Sequence, residues 1–211
     1  MYMEGPRGLR NPEALAERQA MLEESAATQP LREWTDSMIA RRIGRQTDLL
    51  LPNFDPADAA VEAKTMILLD APGTLVPDSA ERPGSGFASV DNDDPTAENL
   101  WNLRNDLGLE HVVVWNIVPW YLAPGRKKPN AAELAQGAME LRGLLPILRK
   151  LRVVVLCGPH AQEGWWKHVE PFLGNTYSAF NAPHPSPLAL KQPGRRDEIE
   201  RTFARAKQVA G

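Results

Sequence analysis

The segment His184-Pro185-Ser186-Pro187-Leu188 places an imidazole, a hydroxyl, an apolar side chain and two prolines within five residues. Proline fixes φ and has no backbone N–H, so the segment cannot lie in a helix interior or a central strand. We therefore expect a rigid loop with His184 at its base and Leu188 near its tip. A loop that positions one imidazole and one apolar wedge suits chemistry on a base that has left a DNA stack. A plain proline-rich turn capped by His184 explains these five residues equally well.

Other polar or glycine-rich segments follow short apolar runs elsewhere in the chain. They are the turn Asp70-Ala71-Pro72-Gly73, the segment Gly84-Ser85-Gly86-Phe87-Ala88-Ser89-Val90, the single Asn116, and the segment Cys157-Gly158-Pro159-His160-Ala161-Gln162. In an open α/β sheet, ligands bind beyond the carboxyl ends of the strands. The sequence therefore predicts that Asp70, Asn116, Gly158 and the approach to His184 open onto one edge of a sheet.

The pattern of apolar runs predicts the elements that position these residues. Strands are expected over residues 65–69, 111–115, 152–156 and 176–180, the first three of them almost continuously aliphatic. Helices are expected over 12–28, 31–44, 57–63, 96–107, 130–150, 161–169 and 195–209, with a connection over 47–56. Strands that alternate with helices favour a three-layer α/β/α sandwich with a four-stranded parallel central sheet. We expect residues 1–60 to form a helical extension packed on a core domain of residues 61–211.

Composition limits the class of protein. The chain has 211 residues, of which 43% are hydrophobic and 24% charged, and no apolar run approaches the length of a membrane span. Its first residues lack the apolar core of a signal peptide, so a cytoplasmic location is expected. Cys157 is the one cysteine and is expected to be a small core residue, and no cysteine and histidine spacing indicates a zinc site. The net charge of −3 argues mildly against nucleic acid, although the local charge of a binding face matters more.

Taken in order, these segments resemble the uracil-DNA glycosylase superfamily over roughly residues 65–190. The His-Pro-Ser-Pro-Leu segment is the most specific part, and the segment from Gly84 to Val90 is similar to the family's uracil-stacking segment. The Asp-Ala-Pro-Gly turn is similar to the Glu-Ala-Pro-Gly turn of the iron–sulfur branch. One cysteine cannot supply the four thiolates of such a cluster, so the resemblance is to an iron–sulfur-free member with mixed features.

The resemblance implies a role for each matching residue. Asn116 would read the base through its amide, and His184 would donate a hydrogen bond to the oxyanion that develops on the base. Asp70 would orient water or stabilise the sugar cation, because Ala71 stands where the best-known branch has its water-positioning aspartate. The expected substrate-binding residues are Ala71, Pro72, Gly73, Gly86, Phe87, Ser89 and Asn116. The expected DNA-binding residues are Ser186, Pro187, Leu188, Lys127, Lys128 and Lys191.

Three of these residues keep a simpler interpretation open. Asp70 also fits a carboxylate that caps a turn, Phe87 a core aromatic, and Leu188 an ordinary loop residue. Gly73 replaces a bulky tyrosine of the best-known branch that excludes the methyl group of thymine, so the pocket would tolerate other bases unless another side chain excludes them. Trp120 and Tyr121 are candidates, with core packing as their alternative role.

The activity that the resemblance implies is that of a monofunctional DNA glycosylase. Such an enzyme hydrolyses the N-glycosidic bond of uracil in DNA, uses water as nucleophile, and needs no metal or organic cofactor. The expected partner is DNA that contains uracil or another deaminated base, and the expected state is a monomer. Two alternatives remain open. One is a nucleic-acid-binding protein of this fold with weak or no turnover, which Ala71 and the acidic balance favour. The other is a hydrolase of free nucleosides or nucleotides.

Overall fold

The computed structural model describes residues 3–42, 50–73 and 84–211 of the chain. Its strands are β1 (Asn53–Phe54), β2 (Thr65–Leu69), β3 (Phe87–Ala88), β4 (Val112–Asn116), β5 (Val153–Cys157) and β6 (Ser178–Ala182). Its α-helices are α1 (Pro12–Glu24), α2 (Gln29–Arg42), α3 (Pro95–Leu107), α4 (Ala131–Leu144), α5 (Pro159–His168), α6 (Glu170–Leu173), α7 (Pro187–Leu190) and α8 (Arg195–Ala210). Short 3-10 helices cover Gly8–Arg10, Ala60–Glu62, Leu145–Ile147 and Gly174–Thr176.

The central sheet has four strands in the order β4-β2-β5-β6, and every neighbouring pair is parallel. All residues of β4 and β5 are buried, as are all residues of β2 except Leu69. Strands buried on both faces require apolar side chains at successive positions, which explains the aliphatic runs in the sequence. Helices cover both faces: α2, α4 and α5 share one core with the sheet, and α3 and α8 share the other. The predicted α/β/α sandwich with a four-stranded parallel sheet is confirmed.

Strand β4 forms one outer edge of the sheet, and residues 54–59, which precede β2, cover this edge. The carboxylate of Asp58 accepts a hydrogen bond from the N–H of Val114 at 2.9 Å, and the N–H of Ala59 donates to the carbonyl of Val112 at 2.9 Å. Phe54 stacks on Trp115 with ring centroids 3.7 Å apart. These contacts occupy backbone groups that an edge strand would otherwise present to another chain.

Several predicted boundaries differ from the observed ones for identifiable reasons. The first helix ends at Glu24 rather than at residue 28, because the hydroxyl of Thr28 bonds the carbonyl of Ser25 and closes a turn. The predicted helix 130–150 becomes α4 and a 3-10 helix, since Pro146 has no N–H for a helical bond. The predicted helix 57–63 shortens to the 3-10 helix Ala60–Glu62.

Two further predictions need correction or lie outside the described residues. Strand β6 begins at Ser178 rather than at residue 176, because Gly174–Thr176 forms a 3-10 helix. The parallel pair β1 and β3 falls on segments for which no strand was predicted. Residues 43–44 of the predicted second helix and 47–49 of the predicted connection are outside the described part of the chain. No helix in the described ranges is long and apolar enough to cross a membrane. The division into domains at residue 60 stays a prediction.

A buried ion cluster joins α1 to the strand pair β1 and β3. One guanidinium nitrogen of Arg18 lies 2.7 and 2.6 Å from the two carboxylate oxygens of Asp55, and the other lies 2.8 Å from Asp91. Arg18 is 2% exposed, and the two carboxylates are fully buried. Burial raises the pKa of Asp91, and the hydrogen bond and charge of Arg18 offset this only in part. The cluster therefore fixes the N-terminal helix on the segment that contains Phe87 and Ser89.

Replacement of Arg18 by alanine should destabilise the protein severely. The change leaves two carboxylates without their buried cation, and removal of one partner of a buried ion pair costs about 3–5 kcal/mol. Urea denaturation followed by far-ultraviolet circular dichroism measures the free energy of unfolding. The control is Lys167→Ala, which breaks the exposed ion pair with Glu163 on α5 and should change that free energy far less. Equal effects of the two substitutions would show that the cluster contributes little.

Candidate active site

A cavity of about 610 Å³ opens at the carboxyl ends of β2 and β4. Its lining includes residues 69–73 at the end of β2, the segment around β3, the end of β4, and His184 after β6. Further lining residues are Leu9, Arg10, Pro52, Tyr121 and three residues of α3, namely Thr96, Ala97 and Leu100. The volume lies within the range of sites for small organic ligands. The parallel sheet thus brings together the strand-end residues that the sequence singled out.

Asp70 lies between two imidazoles at the end of β2. Its Oδ1 is 3.4 Å from Nε2 of His184, and its Oδ2 is 3.8 Å from Nδ1 of His160 at the start of α5. The backbone is fixed as well, because the N–H of Val118 donates to the carbonyl of Asp70 at 3.0 Å and the N–H of Ala71 donates to Oδ1 at 3.0 Å. The carboxylate therefore has one position, partly buried, at the floor of the cavity.

The surroundings of Asp70 favour its charged form. Burial raises the pKa of this carboxyl, but the hydrogen bond and the charge of His184 lower it, as do the backbone N–H groups of Ala71 and of Asp70 itself. The balance places the pKa of Asp70 below its ordinary value. Asp70 is thus a carboxylate, not a carboxylic acid, at neutral pH.

The His184 ring is oriented by its own loop and by a glycine across from it. The N–H of Ser186 donates to Nδ1 of His184 at 3.1 Å, so a neutral imidazole carries its proton on Nε2, the nitrogen that faces Asp70. Gly158 has a φ of 92°, and a Cβ there would lie 3.0 Å from Cβ and 3.2 Å from Cδ2 of His184. Only glycine allows the end of β5 both this backbone conformation and this close approach.

Asn116 lies at the end of β4 and is 5% exposed. The next residue, Ile117, is closely packed on two sides. A Cβ on Gly137 would lie 2.1 Å from the carbonyl oxygen of Ile117, and a Cβ on Gly164 would lie 2.4 Å from the Ile117 side chain. Helices α4 and α5 therefore approach the chain closely just past Asn116. Within residues 3–42, 50–73 and 84–211, no group forms a hydrogen bond with the Asn116 side-chain amide. An amide that lines a cavity and has no protein partner among the described residues is free to pair with a polar ligand, because it offers both a donor and an acceptor.

The segment from Gly84 to Asn92 forms the wall opposite these groups. The hydroxyl of Ser85 bonds the Asn92 side chain and accepts from the N–H of Phe87 at 3.1 Å, and the Asn92 amide donates to the carbonyl of Phe87 at 2.9 Å. Phe87 lines the cavity and is itself packed with Leu9 and Leu22 of the N-terminal region. Phe87 is therefore part of a small core and also borders the cavity, and its role as a stacking surface for a base stays a prediction.

The comparison with known families decides the assignment of the chain. The sequence profile described as "Uracil DNA glycosylase superfamily" matches residues 56–207, which is more than half of the chain. This chain belongs to the uracil DNA glycosylase superfamily. Among curated protein sequences, none matches it.

Within this superfamily member, the cavity collects most of the predicted site residues. Those that line it are Asp70, Ala71, Pro72, Gly73, Phe87, Ser89, Asn116 and His184. Gly86 does not line it and instead accepts, through its carbonyl, a hydrogen bond from the N–H of Asn53. The expected DNA-binding residues also lie outside the cavity wall: Ser186, Pro187, Leu188, Lys127, Lys128 and Lys191.

The segment after His184 differs in form from the predicted loop. Pro187 begins the short helix α7, in which Leu190 is buried and Leu188 is 80% exposed. The side-chain amide of Asn99 on α3 donates to the carbonyl of Pro185 at 2.8 Å and ties the segment to the domain. Proline is favourable at the first position of a helix, which explains why the second proline begins one. Leu188 thus projects into solvent from a held backbone.

Other residues lie near the site, some of them without a role predicted from the sequence. His160 lies near Asp70, and its position just past the end of β5 was the available signal. Tyr121 lines the cavity, whereas Trp120, the other candidate for base exclusion, is part of the main core. Leu9 and Arg10 also line the cavity, although they precede the residues that the family profile matches. No local sequence pattern predicts this position. Burial and the charge of Asp70 raise the pKa of Cys157, which agrees with the predicted core role and leaves a neutral thiol.

Removal of the His184 side chain should raise the pKa of Asp70. The imidazole supplies the largest of the influences that lower this pKa, and without it burial acts with less opposition. The ¹³C chemical shift of the Asp70 carboxyl group, followed by nuclear magnetic resonance as pH falls, reports the titration. His184→Ala should shift the midpoint to higher pH, and His168→Ala, at the far end of α5, should leave it in place. An unchanged midpoint in His184→Ala would mean that the two side chains are not coupled.

Proposed function

We propose that this protein is a monofunctional DNA glycosylase that hydrolyses the N-glycosidic bond of uracil in DNA and so initiates base excision repair. The observation that carries the proposal is the buried Asn116 amide without a protein partner, on the same cavity wall as Asp70 and His184. A base, a sugar cation and a leaving charge each need one such group, and the three converge here. Membership of the superfamily supports the same reaction class.

Asn116 is the proposed reader of the base. Its Oδ1 can accept from the N3–H of uracil, while its Nδ2 can donate to the neighbouring carbonyl oxygen. An amide without a protein partner favours a base that pairs with both its oxygen and its nitrogen. Phe87 provides the apolar surface against which the base lies, and Gly73 and Tyr121 border the space available to a substituent on the ring.

His184 is the proposed donor to the departing base. As the bond between C1′ of the sugar and N1 of uracil breaks, its electron pair stays with the base, and negative charge spreads to the carbonyl oxygens. The proton on Nε2 can then form a hydrogen bond to the oxygen next to N1, which strengthens as the charge grows. The N–H of Ser186, by occupying Nδ1, keeps the donor on the nitrogen that faces the cavity.

Asp70 is the proposed partner of the sugar cation and of water. An ionised carboxylate at the cavity floor stabilises the positive charge that develops at C1′. Water then forms the new bond to C1′ and gives up one proton to Asp70 or to solvent. The departed uracil anion takes up one proton from solvent, so the products are free uracil and an abasic sugar. Ala71 offers no polar side chain for this water, so Asp70 is the nearest candidate to orient it.

The proposed DNA-binding face surrounds the cavity. Leu188 would fill the space that the extruded base leaves in the duplex, and Ser186 and Pro187 would contact the backbone near it. Lys127, Lys128 and Lys191 are exposed and would contact phosphates farther from the base. Arg126, which precedes Lys127 and Lys128 in the chain, is instead paired with Glu133 of α4 at 2.7 Å. DNA containing uracil or another deaminated base is the proposed partner, and the monomeric state and cytoplasmic location stay predictions.

Two alternatives are separated by the product. A DNA-binding protein without turnover would retain uracil-containing oligonucleotide intact, whereas a glycosylase would release uracil and leave an alkali-labile abasic site. A hydrolase of free nucleosides would act on deoxyuridine, and neither the exposed Leu188 nor the outlying lysines would then matter. Labelled oligonucleotides with uracil, hypoxanthine, xanthine or mismatched thymine, followed by alkaline cleavage, would also define the base spectrum.

His184→Ala and Asn116→Ala should each reduce the rate of uracil excision by about 10²–10³-fold. This is the usual effect of losing one preorganised donor to charge that grows in the transition state. Single-turnover excision from a uracil-containing oligonucleotide gives the rate, and circular dichroism verifies that the variants fold. His168→Ala is the control and should keep full activity. Full activity in both site variants would remove the proposed site.

Leu188→Ala should impair excision from duplex DNA far more than from a single strand. Extrusion of a stacked base costs a few kcal/mol that a wedge offsets, so we expect a loss of about tenfold or more on duplex. A single strand has little stacking to replace, and its rate should change much less. The control is Val209→Ala, which shortens another exposed apolar side chain, at the C-terminal end of α8. Equal losses on both substrates would contradict the wedge.

A further inference from the structure

The N-terminal segment that precedes the superfamily match forms part of the cavity wall. Leu9 is 5% exposed, and its N–H donates to the carbonyl of Asp91 at 3.0 Å. Arg10 follows it at the end of the 3-10 helix, and Asn11 then caps α1 by accepting from the N–H of Glu13 at 2.8 Å. Both sides of Arg10 are therefore fixed, and its side chain stands exposed where it lines the cavity.

Arg10 differs in charge from the rest of this wall. Of the described residues that line the cavity, it is the one lysine or arginine, while Asp70, Asp93 and Asp94 contribute carboxylates. Asp93 lies 3.7 Å from the guanidinium of Arg7, and Asp94 accepts from the N–H groups of Thr96 and Ala97 at the start of α3. Within the described ranges, no carboxylate pairs with the guanidinium of Arg10. An exposed arginine on a cavity wall, with no carboxylate partner among residues 3–42, 50–73 and 84–211, is suited to a phosphate.

We propose that Arg10 binds the phosphate attached to the nucleotide whose base occupies the cavity. The inference rests on the proposed function, because a base held by Asn116 and Phe87 leaves its sugar and phosphate at the mouth. Arginine can hold a phosphate through two parallel hydrogen bonds, which fixes orientation as well as charge. A cation here also opposes the carboxylates of the wall, which would otherwise repel the strand. The N-terminal extension thus supplies a substrate contact that the matched domain lacks.

The test compares Arg10→Gln with Arg149→Gln and Arg10→Lys. Arg149 is also exposed but precedes β5, at the opposite edge of the sheet, and lysine at position 10 retains the charge. Binding is measured by fluorescence anisotropy over 50–200 mM salt. The probe is a single-stranded oligonucleotide that carries one 2′-fluoro-2′-deoxyuridine, whose fluorine resists hydrolysis by destabilising the sugar cation. Deoxyuridine 5′-monophosphate as competitor distinguishes a phosphate of the strand from that of a free nucleotide.

Each phosphate contact contributes about 0.7 to the slope of log K against log salt for a single strand. Arg10→Gln should lower the magnitude of the slope by about this amount. Between 50 and 200 mM salt, the loss of affinity of the wild type should therefore be about 2.5 times as large as that of Arg10→Gln. Arg149→Gln and Arg10→Lys should keep the wild-type slope. If deoxyuridine 5′-monophosphate competes less well in Arg10→Gln than in the wild type, Arg10 also binds the phosphate of a free nucleotide. If it competes equally well in both proteins, Arg10 binds only a phosphate of the strand.

An unchanged slope in Arg10→Gln, or a wild type that does not bind the strand, would overturn the proposal. Excision is measured separately, so the two proposals can fail independently. A wild type that excises uracil while Arg10→Gln keeps its slope would remove only the role of Arg10. A wild type that excises nothing while Arg10→Gln loses slope would remove the glycosylase and leave a phosphate contact in a binding protein. In an active enzyme, Arg10→Gln should raise KM and leave kcat nearly unchanged, as loss of uniform binding does.

Discussion

The parallel register of the four-stranded sheet is the constraint on which the site depends. Leu69 of β2 lies opposite Asn116 of β4, so Asp70 and Asn116 emerge side by side at one edge. Cys157 of β5 lies opposite Ala182 of β6, which sets Gly158 against the chain that leads to His184. A slip of one residue would send alternate side chains to the other face of the sheet and separate the three groups. The aliphatic residues buried on both faces exclude that slip, because it would place different volumes in two closely packed cores.

A second constraint is the balance between buried charge and its partners. Arg18 is buried with two carboxylates outside the cavity, while Asp70 inside it is held charged by the neighbouring His184. The first cluster is closed to solvent, since Arg18 and both carboxylates are buried. The second is open to a ligand, since Asp70, His184 and Asn116 all line a cavity large enough for a base. The same low local dielectric that makes unpaired groups costly also makes a ligand that pairs with them bind more strongly.

The sequence predicted those features whose causes are local. Runs of aliphatic residues indicate the buried strands. Asp70, Asn116 and His184 follow such runs directly or within a few residues. The fold and the place of the candidate site could therefore be predicted together. The pair β1 and β3 could not, because two-residue strands have no periodicity. The predicted start of β6 was two residues too early. The side chains of this strand are only partly buried, which weakens the apolar signal in the sequence. Arg18 finds Asp55 and Asp91 across 37 and 73 residues, and no local pattern encodes such a pairing.

Residues of the N-terminal region position part of the cavity wall. Phe87, which borders the cavity, is buried between Leu9 and Leu22, so the ring proposed to lie against the base is positioned by residues outside the superfamily match. Arg18 fixes α1 to the ends of β1 and β3, and the same helix is preceded by Leu9 and Arg10 on the cavity wall. Order in this extension is therefore coupled to order in the wall of the site. The superfamily match begins at residue 56, but Phe87 and Asp91 contact residues that precede it, and Leu9 and Arg10 belong to the cavity wall.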